Sequence, residues 1–322
     1  MAEKKINECK IGENIQGFFL IKEALCKISS NNKKYLDLYL CDNTGEINAK
    51  IWDCTDEQEL AFKQGEVIKT KGTVIQWQGK SQLNIEKIRA AKDDDDLTMS
   101  DFIQSAPYAA EEMLEELFVF IEKIKNKDMK QIVTRIIEET KEKLLIQPAA
   151  MKNHHSIRSG LLYHIVTMLK VGENLSAIYP LVNKDLLFAG IILHDISKID
   201  EMECNEIGLI SDYTFEGQLL GHIIQGIKRI ERVAREIKAD NEISVLLQHM
   251  VLSHHYEPEF GSPKRPMIPE AELLHYIDII DARMFDMEKV LNATDTEGFS
   301  EKVWVLNNRK LYKATATPNP VD

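Results

Sequence analysis

Ala189-Gly190-Ile191-Ile192-Leu193-His194-Asp195-Ile196-Ser197-Lys198 is the stretch on which the fold turns. The longest strongly apolar run of the chain, Leu186 to Leu193, leads straight into an imidazole beside a carboxylate. That run is far short of the roughly 20 residues a membrane-spanning helix needs. It reads instead as a buried helix whose end delivers His194 and Asp195. Lys198 follows one helical turn later, on a neighbouring face. A carboxylate next to an imidazole can bridge two cations, and the lysine can hold a phosphate oxygen.

Reading outward, Gly160-Leu161-Leu162-Tyr163-His164 sets one histidine on a helix with Ile165 and Leu169, and Gly221-His222, His254-His255 and His275-Tyr276-Ile277-Asp278 follow downstream. All nine histidines lie beyond residue 150. Imidazole mixed with carboxylate is a usual ligand set for transition-metal ions. Any one of these histidines alone reads as a structural residue; the combination points to a metal. Around them the apolar period is 3.6: Leu114, Leu117, Phe118, Ile121 and Ile124 form one stripe, and Ile132, Val133, Ile136, Ile137, Leu144 and Leu145 another. An all-α domain over 111–300 is expected, then a C-terminal segment, 301–322, with a hairpin around Asn307-Asn308 and a tail from Thr315 that frays.

Upstream, the run Asp93-Asp94-Asp95-Asp96 marks an acidic linker, 91–110, between two electrostatically different parts. Residues 1–92 carry 15 Lys+Arg and 13 Asp+Glu, net +2; the other 230 carry 25 and 39, net −14, which together give the −12 of the whole chain. Before the linker the period is two. In Tyr35-Leu36-Asp37-Leu38-Tyr39-Leu40 the leucines share one face and Tyr35, Asp37 and Tyr39 the other, and Ile47, Ala49 and Ile51 alternate with Asn48, Lys50 and Trp52. Turn signals fall at Ser29–Asn32, Asp42–Gly45 and Gln78–Lys80, a helix-like stretch spans Thr55–Phe62, and two more strands lie around Val67–Trp77 and Ser81–Ile88. Three strands, a short helix and two strands resemble the five-stranded OB-fold, here over residues 1–90. Its strand 2–3 face often binds single-stranded nucleic acid. Tyr35, Tyr39 and Trp52 can stack on bases, while Lys50, Lys69 and Lys71, with Lys33 and Lys34, can meet phosphates. Ordinary packing on a small barrel is the competing reading of each of them.

The order His164, His194-Asp195, His222, His254-His255, Asp278 resembles the HD superfamily of metal-dependent phosphohydrolases. The segments Lys152-Asn153-His154-His155, Thr214-Phe215-Glu216-Gly217-Gln218-Leu219-Leu220-Gly221-His222, Leu252-Ser253-His254-His255, Glu259-Phe260-Gly261-Ser262-Pro263 and Leu274-His275-Tyr276-Ile277-Asp278-Ile279-Ile280-Asp281-Ala282 look like the YhaM family of bacterial 3′→5′ exoribonucleases, which also carries an OB-fold before its HD domain. The likeness extends from about Gly12 to Met284. It departs from the pattern at Ser197 and at Tyr256, both where glycine is common in related enzymes; neither change removes a ligand.

The resemblance implies a multidomain fold, a small all-β OB-fold barrel followed by an all-α HD-superfamily domain. It assigns His164, His194, Asp195 and Asp278 to one metal, with Asp195 bridging to a second held by His222, His254 and His255. Mn²⁺ is favoured, and Fe²⁺ or Zn²⁺ also suit such ligands. Two cations would activate water and clamp the attacking and leaving oxygens of a phosphodiester, with Asp195 and Lys198 as the catalytic pair. Lys198 would offset charge on the non-bridging oxygens. Asp281 either supports the site from behind or pairs with Arg283, and His154, His155 and Arg158 either touch substrate phosphate or form a solvated helix start. His249 and His275 read as supporting or structural residues.

The implied activity is a 3′→5′ exoribonuclease acting on single-stranded RNA, with single-stranded DNA as a second substrate. Two alternatives stand beside it: an HD-type phosphohydrolase of a small nucleotide or cyclic dinucleotide, and a non-catalytic nucleic-acid-binding protein. Composition narrows the rest. At 322 residues, about two domains are expected, and 44% hydrophobic with 29% charged residues excludes general disorder. Five cysteines (Cys9, Cys26, Cys41, Cys54, Cys204) without a C-x-x-C pair argue against both a disulfide framework and a cysteine zinc site. Met1–Lys10 has no apolar core that would make it a leader. A cytoplasmic location with no membrane partner is expected, and assembly into a homo-oligomer is left open. No Ser-His-Asp order, phosphate-cradling glycine loop or carboxylate-only nuclease cluster competes.

Overall fold

The structure is a computed structural model that describes residues 3–98, 101–151 and 155–316. The chain divides into two compact units between Ser105 and Ala106.

The first unit is a closed barrel of β1 (Asn14–Ile28), β2 (Lys34–Asp42), β3 (Gly45–Trp52), β4 (Val67–Trp77) and β5 (Lys80–Ala90), in the order β1-β2-β3-β5-β4. All neighbours are antiparallel except β3 and β5. The alternation of β2 and β3 decides which face is wet. Leu36, Leu38 and Leu40 pair with Ile51, Ala49 and Ile47, and all six are buried with Phe19, Ile68, Val74 and Leu83. Tyr35, Asp37 and Tyr39 pair with Trp52, Lys50 and Asn48 on the outer face.

Polar side chains close the turns. The Asp42 carboxylate accepts from the N–H groups of Thr44 (2.8 Å), Gly45 (3.1 Å) and Ile6 (2.7 Å). At α1 (Asp56–Ala61) the Thr55 hydroxyl accepts from the Gln58 N–H and the Gln58 amide oxygen from the Thr55 N–H, a reciprocal cap. β4 and β5 approach so closely that a Cβ on Gly72 would lie 2.2 Å from the Asn84 carbonyl oxygen. The acidic run begins as a single 3₁₀ turn, Asp93–Asp95, in which Asp95 accepts from both terminal guanidinium nitrogens of Arg89 at 2.8 and 2.7 Å, tying the run to β5.

The second unit is helical: α2 (Ala110–Lys123), α3 (Lys127–Leu144), α4 (Gly160–Ile178), α5 (Lys184–Leu193), α6 (Lys198–Glu201), α7 (Phe215–Ile237), α8 (Asn241–Ser253) and α9 (Pro269–Asn292). Side chains of Asn126, Asn183, Thr214 and Asp240 cap α3, α5, α7 and α8. Every residue of α5 from Leu186 to Leu193 is buried, so this helix is the centre of the unit rather than a surface helix. The buried aromatic of α2 is Phe120, which meets Phe188 edge-on at 5.4 Å; Phe118, placed in the stripe by sequence, only borders the core. Between α6 and α7 lies a two-stranded hairpin, β6 (Met202–Cys204) and β7 (Ile210–Tyr213), to which the helical reading assigned no strand.

The C-terminal segment turns back through antiparallel bridges Phe299–Tyr312 and Val303–Arg309 around left-handed Asn307 and Asn308, with Trp304–Leu306 forming a 3₁₀ turn instead of a strand. From residue 317 the tail expected to fray lies outside the described residues. Among the described residues no helix is long and apolar enough to cross a membrane.

Candidate metal centre

Six helices of the second unit bring the chemistry-bearing side chains together. His164 comes from α4, His194 and Asp195 follow α5, Lys198 and Glu201 belong to α6, His222 to α7, His254 and His255 follow α8, and Asp278 and Asp281 lie on α9. His194 and His254 occupy equivalent positions. Each is the first residue past a helix end, and each donates its Nδ1–H to the carbonyl three residues back, Ile191 and Val251, at 2.7 Å. Those carbonyls are among the last of their helices, which lack a partner within the helix.

The remaining imidazoles are braced on the same side of the ring. His164 Nδ1 donates to Asp281 Oδ2 (2.6 Å), His222 Nδ1 to the Glu201 carboxylate (3.1 Å) and His255 Nδ1 to the Phe260 carbonyl (2.5 Å). Acceptors of this kind require the proton on Nδ1, which in the neutral ring leaves Nε2 with its lone pair outward. His222 reaches its position through a break in α7: Gly221 stands at φ 68°, ψ 164°, a conformation essentially confined to glycine. The break also turns the His222 N–H onto Glu201 Oε1 at 3.0 Å.

The ligand atoms fall into two groups, Asp195-His222-His254-His255 and His164-His194-Asp278, each with all its atoms within 4.8 Å of one another. Asp195 stands between them. Its Oδ1 lies 3.3 Å from His222 Nε2 and 3.6 Å from His254 Nε2, while its Oδ2 lies 3.3 Å from His194 Nε2 and 2.6 Å from Lys198 Nζ. Asp278 Oδ1 is 3.3 Å from His164 Nε2. Asp195 Oδ1 and the Nε2 atoms of His194, His222 and His254 are buried without a hydrogen bond. An unsatisfied buried polar group costs about 1–3 kcal/mol. Converging imidazole lone pairs and carboxylate oxygens are the donor set a divalent transition-metal ion satisfies, so these residues fit such an ion.

A third group, His155-His164-Asp281, is equally compact. It is a hydrogen-bonded relay: Asp281 Oδ2 accepts from His155 Nε2 at 2.7 Å as well as from His164 Nδ1. Protonation follows from these contacts. Burial pushes the His164 imidazole down, but Asp278 and Asp281 outweigh it and hold it up at about 10, which keeps on Nε2 a proton that a bound cation would replace. Burial pushes His255 down to about 3 and lowers His254 and His155. Burial also opposes charge on Asp195, yet Lys198 and His194 hold its carboxyl well below the usual range; Lys198 is raised against its own burial by the same pairing.

Not every flanking residue stands where the sequence suggested. His155, expected near substrate phosphate, is buried behind Asp281 with its ring 4.0 Å from Phe285; a left-handed backbone, φ 52°, turns it inward. His154 lies outside the described residues. The Arg158 guanidinium donates to the Glu206 carbonyl at 2.9 Å. Asp281 takes its two imidazoles instead of Arg283, His249 Nε2 accepts the Met267 N–H, and His275 Nδ1 donates to the His254 carbonyl. Glu201 was not anticipated. Its only signal was its spacing, one helical turn after Lys198.

On the barrel, Tyr35 and Trp52 form a cross-strand pair with ring centroids 4.9 Å apart, and Tyr39 and Trp52 are exposed. Lys50 lies over Tyr35 and binds Asp37 at 3.0 Å, and Lys27 binds the same carboxylate at 2.6 Å. Lys69 binds Glu3 at 2.7 Å and covers Phe18, and Lys71 lies opposite Gln16 and Lys87. The face therefore offers open aromatic surface with its nearest cations already paired.

Comparison with known proteins agrees with both halves. The HD domain family matches residues 161–283, and an OB-fold nucleic acid binding domain matches residues 21–91. A protein of Shouchella clausii named 3′-5′ exoribonuclease YhaM is 42% identical over 99% of this chain and 99% of its own length. One of the same name from Halalkalibacterium halodurans is 41% identical over 97% of each. With barrel, helical unit and histidine array in one order along the whole length, the chain belongs to the YhaM family of 3′-5′ exoribonucleases.

Proposed function

We propose that the helical unit is a divalent-metal-dependent phosphodiesterase that removes nucleotides from the 3′ end of single-stranded RNA, and that the barrel holds the strand. The observation that carries this is the set of buried Nε2 atoms converging on Asp195. His164, His194 and Asp278 would hold one ion, His222, His254 and His255 a second, with Asp195 shared. Mn²⁺, Fe²⁺ and Zn²⁺ all accept such a mixed donor set, and the family resemblance favours Mn²⁺. A bound divalent ion supplies Lewis acidity that makes water nucleophilic near neutral pH and offsets phosphate charge.

The chain's own residues do the rest. Glu201, Asp281 and the helix-end carbonyls fix the imidazoles, and the low carboxyl of Asp195 keeps it anionic. Lys198 balances charge beside the scissile phosphate. Tyr35, Tyr39 and Trp52 would stack on bases, with Lys50, Lys69 and Lys71 near the phosphates. Single-stranded DNA is a second substrate. Five unpaired cysteines support a reducing compartment, the bacterial cytoplasm.

The test is incubation of the purified protein with Mn²⁺ and 5′-labelled single-stranded RNA, beside Asp195→Ala. A descending ladder that disappears in the variant is expected. Intact RNA with hydrolysis of small nucleotides would favour a nucleotide phosphohydrolase instead, and binding without turnover a non-catalytic role.

A further inference from the structure

Tyr256 follows His255 directly, and its backbone stands at φ 69°. For a bulky L residue this left-handed conformation is an outlier, whereas glycine occupies it without strain. Strain of this kind persists where the surroundings enforce it, and it gathers at ligand clamps. The Tyr256 ring packs on His275 with centroids 4.8 Å apart at 33°, and the Arg265 guanidinium lies over the same ring at 5.2 Å. His275 is fixed by its Nδ1–H to the His254 carbonyl at 2.7 Å. Tyr256 and His275 thus hang from the main chain of two adjacent imidazoles of the metal centre. Both rings are half-buried, and Arg265 is exposed, with two 3.1 Å contacts to Glu257. Half-buried aromatic rings beside an exposed guanidinium are the side-chain types that sequence-tolerant base stacking uses.

We propose that Tyr256, with His275 and Arg265, forms a nucleobase subsite at the edge of the metal centre that receives the base of the 3′-terminal nucleotide. This deepens the exoribonuclease reading and rests on it for the substrate. The subsite accepts any base, because every base presents a π-face, and it gives the hydrolytic site its preference for a nucleotide over a bare phosphodiester.

The test is titration of 2-aminopurine ribonucleoside 5′-monophosphate into the full-length protein, read by quenching of the base fluorescence, with AMP and ribose 5-phosphate as competitors. Saturable quenching is expected, displaced at least ten-fold better by AMP than by ribose 5-phosphate. Tyr256→Gly should weaken nucleotide binding by roughly ten-fold or more while its melting temperature does not fall, because the backbone strain is relieved. Tyr256→Phe should bind as the parent does, and Arg265→Ala, at an exposed position, several-fold more weakly. Unchanged affinity in Tyr256→Gly, or equal competition by ribose 5-phosphate, overturns the subsite; so does a variant that melts lower and still binds normally, since Tyr256 would then be a loop brace. A labelled-RNA assay alongside separates the two readings. Quenching without cleavage keeps the subsite and sinks the nuclease, and cleavage without quenching does the reverse.

Discussion

Glu201 acts on His222 as Asp281 acts on His164: each carboxylate takes the Nδ1 proton and leaves Nε2 facing the centre. Such outer partners of metal ligands typically set affinity by one to two orders of magnitude. Glu201→Ala removes the acceptor of both His222 donors, so Mn²⁺ affinity measured by calorimetry should fall about 10–100-fold, with activity recovering at high Mn²⁺. Unchanged affinity would mean that Gly221 alone orients His222. At this scale the sequence was uneven. His194, Asp195 and Lys198 were legible because they are contiguous and their types fit one chemistry. Glu201 was not, since its partner lies 21 residues away across a hairpin, and neither was the inward turn of His155, which a left-handed backbone decides.

Among the elements, α7 carries the clearest liability. Its interruption at Gly221 is a backbone state that any Cβ disfavours, at a cost of order 1–3 kcal/mol, although the nearest atom to an added Cβ, Glu201 Oε1, is an ordinary 3.5 Å away. Gly221→Ala should therefore either destabilise the helical unit by about that amount or straighten the helix and withdraw His222, and thermal melts with and without Mn²⁺ separate these outcomes. A variant with parental stability and metal response would show the break to be unimportant. In the barrel, the period of two fixed both faces of β2 and β3 in advance, because strand geometry allows only that alternation. It could not show Asp37 as a hub. Burial raises the Asp37 carboxyl, but hydrogen bonds from Lys27, Asn48 and Lys50 outweigh it and hold it below the usual range. As pH falls below about 4, the unfolded chain takes up the proton first. The stability Asp37 contributes is thus complete above that pH and is lost as pH drops through its folded value. Asp37→Asn should lower barrel stability by about 1–3 kcal/mol at neutral pH and flatten the acid limb of a pH-dependent melt.

For the whole molecule, charge and architecture differ between the two units. The net +2 of residues 1–92 against −14 for the remainder makes the barrel the part of the chain that repels a polyanion least, with the acidic remainder opposing non-specific binding. A protein beginning at Ala106 keeps the entire helical core. It should keep Mn²⁺-dependent hydrolysis of a small diester, bind long RNA more weakly, and show a shallower dependence of affinity on salt. Equal RNA affinity and salt slope at matched ionic strength would remove the barrel from strand binding. The two-unit plan was readable because the hydrophobic period changes from two to 3.6 across the acidic run. The β6–β7 hairpin escaped notice because strands this short leave no periodic trace.

The braces of His194 and His254 are main-chain carbonyls, at Ile191 and Val251. Every amino acid carries that atom, so no codon change at those two positions deletes it while the helix ends survive. Heritable damage to imidazole orientation is channelled toward Glu201, Asp281 and Gly221, where identity matters. The apolar residues at 191 and 251 can vary while two of the five candidate ligand histidines keep their aim, and the Phe260 carbonyl gives His255 the same independence.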